Sequence, residues 1–110
     1  MANSRSTIPD TEYATVDTDP GSEGYFTNAV SGRAKKKLGS EAIFFSVKGS
    51  GDMSISLQFK DSGDTEWTTY ETYEANTRKR ILDGSSTQWR VGVVNSAAFT
   101  SGSKTFGFTW

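Results

Sequence analysis

The sequence predicts an all-β chain, a single small antiparallel β-sandwich or barrel preceded by an irregular N-terminal arm. Three observations carry this expectation. Apolar and polar residues alternate in several short runs, most cleanly in MSISLQFK (53–60). Clusters of Gly, Asp, Ser and Asn separate those runs, as turns require. No stretch carries a convincing helical period.

Residues 1–32 stand apart. They are rich in Ser, Thr, Asp and Gly, and hold both prolines, Pro9 and Pro20. Apolar residues are sparse, and no strand or helical period is legible. Such a segment buries too little apolar surface by itself to offset its ordering entropy. The expected organisation is an extended arm over 1–37 and a β-sandwich domain over 38–110. Tyr13, Val16, Tyr25 and Phe26 favour an arm laid on a partner over a plain flexible tail.

Regular signals begin near residue 41. EAIFFSVK (41–48) reads as a strand with Ile43, Phe45 and Val47 on one face and Phe44 on the other. GSGD (49–52) reads as a turn. In 53–60, Met53, Ile55, Leu57 and Phe59 share a face. DSGDTE (61–66) suits a hairpin loop, with Gly63 placed for positive φ. WTTYETY (67–73) is ambiguous, because Trp67, Tyr70 and Tyr73 recur every third residue while Thr, Tyr and Trp favour strands. It is read as a strand with an irregularity near Tyr70. RKRILD (78–83) is a short basic strand. QWRVGVV (88–94) puts Trp89, Val91 and Val93 on one face, and Gln88, Arg90, Gly92 and Val94 on the other. NSAAFTSGS (95–103) reads as a loop, and KTFGFTW (104–110) aligns Phe106, Phe108 and Trp110. About six strands at this spacing suit a sandwich.

Composition excludes several classes of chemistry. With no Cys there is no disulfide framework and no thiolate nucleophile. With no His, the usual general base near neutral pH and the commonest metal ligand are both missing. No apolar run approaches the roughly 20 residues that span a bilayer, and MANSRSTIPD lacks the apolar centre of a signal peptide. A soluble chain without general secretory export is expected. The net charge is −1, so wholesale nucleic-acid binding is not favoured.

Each candidate site has a plain structural alternative. Asp61, Asp64, Glu71 and Glu74 are paired carboxylates, but no apolar enclosure is legible that would raise one as a glycosidase acid. DTDPGSEG (17–24) resembles a calcium loop, yet the twelfth position is Asn28 rather than the required Glu, and no flanking helices appear. RAKKK (33–37) and RKR (78–80) have no stacking platform beside them, and read as docking charges or as guards on an edge strand. Trp89 and Trp110 alternate as core residues, whereas Tyr70, Tyr73 and Phe99 are better interface candidates. No P-loop, GxSxG, CxxC or dinucleotide fingerprint is present. The expectation is a non-enzyme without cofactor or metal.

Four segments carry a family resemblance: SISLQFKDSGDTEWTTYETY, TRKRILDG, QWRVGVV and FTSGSKTFGFTW. They lie within residues 53–110, a little over half the chain, and this region resembles the capsid decoration (cement or staple) proteins of epsilon-fifteen-like short-tailed phages. The resemblance implies a jelly-roll-like domain, a place on the outer capsid surface after synthesis in the host cytoplasm, the major capsid protein as partner, and self-association as a dimer. Composition and charge add the expectation of no membrane or nucleic-acid partner. Strand order separates a jelly roll from an immunoglobulin-like sandwich, and both stay open on sequence. Our reading of the residues adds Tyr13, Val16, Tyr25, Phe26, Tyr70, Tyr73 and Phe99 as contacts, with Arg33, Lys35, Lys36 and Lys37 facing acidic capsid patches. Loss of residues 1–30 would then remove capsid affinity. A tail or head-fibre component, or a carbohydrate-binding module stacking sugar on Trp67 or Tyr70, is the alternative.

Overall fold

A computed structural model describes residues 3–8, 11–31, 43–81 and 87–110. Among the described residues, ten strands form two antiparallel sheets, with one 3₁₀ turn at Ser96–Ala98. The first sheet runs in the order β1 (Ser4–Ile8), β2 (Thr11–Val16), β10 (Phe99–Thr109), β5 (Ile43–Met53), β8 (Thr77–Ile81). The second runs β3 (Tyr25–Phe26), β9 (Gln88–Val93), β6 (Ile55–Lys60), β7 (Thr68–Tyr73), and β4 (Val30–Ser31) also pairs with β9.

The pairing is nested. β2 joins β10, β3 and β4 join β9, β5 joins β8, and β6 joins β7. A long hairpin rolled up in this way is a jelly roll, and β1 adds an edge strand to it. Strand order thus decides what patterning left open.

Alternation fixes which face each strand buries. The first sheet turns Ala14, Val16, Ile43, Phe45, Val47, Phe106 and Phe108 inward, and the second turns in Val30, Ile55, Leu57, Val91 and Val93. Phe45 lies at the centre, 5.0 Å from the Tyr73 ring and 6.1 Å from that of Phe108. Two charged residues also point inward. Lys104 is buried and donates to the Glu74 carbonyl at 2.6 Å. Buried Glu12 accepts from the Asn28 amide at 3.2 Å. Both bonds answer the cost of burying a charged side chain.

Three sequence expectations need correction. Residues 4–31 are not an irregular arm, because they supply β1 to β4 and place Ala14, Val16 and Val30 in the core. Neighbouring strands provide the apolar surface that this segment lacks alone. The sandwich therefore does not begin at residue 38, and residues 32–42, including the expected boundary, lie outside the described residues. GSGD is not a turn. β5 runs on to Met53 against a β10 that begins at Phe99, inside the expected loop. Gly51 and Gly102 face each other there at φ +122° and +99°, and a Cβ on either would strike the other's backbone. The Gly63 expectation matches: its φ is +93° in a turn closed by Asp64 N–H to Asp61 carbonyl at 3.0 Å.

Candidate functional site

Each sheet ends on one side in an exposed edge, β7 in the second and β8 in the first. Between them the sandwich opens. β6 and β7 pair regularly from Ile55↔Tyr73 to Leu57↔Glu71, and then Gln58 meets Thr69, so Tyr70 is an extra residue in a β-bulge. The bulge explains the spacing of Tyr70 and Tyr73. One inserted residue, not a helical turn, brings both rings to the core side of β7.

Tyr70 meets Trp89 at 5.6 Å and 86°, and Phe59 at 6.3 Å and 80°. Phe59 and Trp89 are cross-strand partners with rings 5.8 Å apart. These edge-on contacts hold the Tyr70 ring in a fixed pose while 53% of the residue stays exposed. Beside it is a cleft of about 320 Å³ lined by Leu57, Tyr70, Lys79, Arg80, Ile81 and Trp89.

A polar clasp crosses the opening. Lys79 on β8 pairs with Glu71 on β7, and the Tyr73 hydroxyl donates to the same Glu71 oxygen at 3.0 Å. These hydrogen bonds, that of Lys79 first, hold the Glu71 carboxyl below its usual range against a smaller opposing effect of burial. Glu71 in turn raises Lys79. Burial first, then the bond to Glu71, raises the Tyr73 phenol. The Lys79 ammonium also lies 5.7 Å from the Tyr70 ring centre. Both charged partners are about two-fifths exposed, so the clasp sets geometry more than it adds stability.

The outer face of the second sheet carries another cluster. The Arg90 guanidinium lies 3.8 Å from the Phe26 ring and 4.5 Å from that of Trp67, with Lys60 on Trp67 at 5.6 Å. Arg90 Nε donates to Gln58 at 2.9 Å, and Gln58 donates to Thr69 at 3.2 Å.

The remaining expected contacts are scattered. Val16 is fully buried in the core, so a folded chain cannot offer it to a partner. Tyr73 packs on Phe45 and belongs to the clasp, and Phe99 is half-buried against the core. Tyr25 also packs on the core, under Arg5 at 4.9 Å. Tyr13 lies on the outer face of the first sheet over Gly107, its hydroxyl 2.8 Å from that of Thr109. Phe26 joins the Arg90 cluster. Arg33, Lys35, Lys36 and Lys37 lie outside the described residues. Sequence reasoning did not single out Phe59 or Arg90, and met Lys79 only within RKR (78–80), as a docking charge or edge guard. The exposed-face position of Arg90 in QWRVGVV was the one available signal.

Among the described residues, no group of three His, Cys, Asp or Glu could hold a metal ion, and no helix is long and apolar enough to cross a membrane. The DTDPGSEG segment makes a turn, in which Asp19 accepts the Gly21 amide at 2.8 Å. That bond, with a smaller one from Ser96, lowers the Asp19 carboxyl.

No protein-family model matches the chain, and no curated protein matches it. Among solved structures it is similar to the CENP-C cumin domain of Drosophila melanogaster, at 6% identity and a TM-score of 0.37, over 97% of this chain and 72% of that one.

Proposed function

We propose that the chain is a non-catalytic structural protein of a virion, binding the outer surface of a phage capsid and bridging major capsid protein subunits. Tyr70 is the observation that carries the binding part of this reading. A bulge turns its ring out of the ladder, two aromatic neighbours fix it, and it stays exposed beside a cleft. A rigid, half-bare tyrosine loses little entropy on contact, and tyrosine is enriched among interface residues that dominate affinity. The capsid part rests on the family resemblance of residues 53–110. Self-association as a dimer would double the contacts, and each added contact is effectively intramolecular. A ligand of the assembled shell stabilises it by mass action.

Co-sedimentation with phage heads stripped of minor surface proteins tests the reading. The full chain should bind saturably and raise the melting temperature of the particle. Tyr70→Ala should weaken binding about tenfold or more, as expected for a central aromatic contact. The same variant should melt close to the parent chain. Failure of the parent chain to bind heads removes the capsid reading, and binding to a glycan array instead would assign Tyr70 to sugar stacking.

A further inference from the structure

The outer face of the second sheet carries an alternating row of rings and cations, Phe26, Arg90, Trp67 and Lys60, with separations of 3.8, 4.5 and 5.6 Å. Three strands and the segment before a fourth build it. Phe26 comes from β3, Arg90 from β9, Lys60 from β6, and Trp67 precedes β7. Gly92 makes room for Phe26, since a Cβ there would meet the Phe26 ring and backbone.

Within this row Arg90 is held from several directions. Two rings lie against its guanidinium, and Nε is committed to Gln58. Its two terminal nitrogens donate to no other described residue. A guanidinium fixed in this way presents a planar fork that matches a carboxylate, and its ordering entropy is already lost before binding. Partial burial pulls Arg90 below its ordinary range, yet a guanidinium keeps its proton at any physiological pH.

We propose that Arg90 is a carboxylate-binding anchor, taking an Asp or Glu of a partner protein whose apolar neighbours rest on Phe26 and Trp67. Lys60 adds a second positive charge at the end of the row. The nearby acids argue against a phosphate backbone. Asp61, Asp64 and Glu66 stand in the adjoining hairpin, with Asp61 bonded to Thr87 at 2.7 Å and Asp64 to the Asp61 amide at 2.9 Å. A run of phosphates would bring several negative charges toward those carboxylates, whereas a single carboxylate set among apolar side chains brings one. The inference rests on the binding reading above only in taking a protein as the partner.

The test is an NMR titration of the full chain with two blocked pentapeptides, one with Glu between two leucines and one with Gln in its place. The signals read are Arg90 Nε–H and the Trp67 indole N–H. The Glu peptide should shift both saturably, with the Gln peptide about tenfold weaker, as for loss of a charge-assisted hydrogen bond. Arg90→Lys keeps the charge but loses the fork, and should weaken the Glu peptide by about tenfold. Trp67→Leu removes one ring and serves if the Arg90 variant does not fold. Equal shifts from both peptides, unchanged affinity in these variants, or stronger competition by inorganic phosphate than by the Glu peptide would overturn the assignment. Heads play no part in this readout. A chain that binds the peptide but not heads keeps this site and loses the capsid reading, and the reverse result loses this site alone.

Discussion

Gly92 occupies a position where no side chain fits. A Cβ would meet the Tyr25 carbonyl and the Phe26 backbone and ring across the β3–β9 pair. Gly92→Val should destabilise the chain by about 2–3 kcal/mol, as overpacking against backbone does. The urea midpoint measures this, and a shift near zero would mean that β3 yields freely. Alternation alone placed Arg90 and Gly92 on the outer face. It could not show what covers them, because Phe26 arrives from a two-residue strand with no period of its own. Lys104 is the converse. Its register aligns it with Phe106 and Phe108, yet only the structure supplies the Glu74 carbonyl that allows a buried ammonium.

In β7, one inserted residue separates regular pairing from the aromatic cluster, and the clasp beside it is sensitive to pH. Glu71 is lowered in the folded chain, so its contribution is full above the ordinary carboxylate range and is lost as pH falls through the folded value. Lys79 is raised, so its contribution is full below the ordinary lysine range and is lost as pH rises through the folded value. Wild type should therefore exceed Glu71→Gln slightly in urea stability near neutral pH. The difference should begin to shrink as pH falls below the ordinary carboxylate range and vanish only below the lowered folded value. A gap of equal size in acid would show that Glu71 acts through packing rather than charge. The Trp67, Tyr70 and Tyr73 spacing exposed this irregularity in the sequence, since three-residue recurrence cannot persist in a regular strand. The β5 extension was hidden for the opposite reason. Gly49 and Gly51 look like turn residues, but here they permit the close approach of β10.

The nested topology makes residues 4–31 indispensable. β2 lies between β1 and β10, and without it β10 becomes an open edge beside the space left by Ala14 and Val16. A chain lacking residues 1–31 should show no cooperative thermal transition by near-ultraviolet circular dichroism. A sharp native-like transition would restore the reading of this segment as a detachable arm. The segment was hard to read because TEYATV turns Glu12, Ala14 and Val16 inward, a weak apolar stripe, and because β3 and β4 have two residues each. The same topology governs how the chain reaches its fold. Tyr13 and Thr109, whose hydroxyls meet, are 96 residues apart in sequence. Closing so long a loop loses entropy before the contacts that offset it exist, so refolding belongs to the slow, millisecond-to-second class of all-β domains. Until β2 finds β10, the long strand β10 is itself an open edge. The hazard of aggregation therefore depends on how long that search takes, not on how tightly the finished core packs.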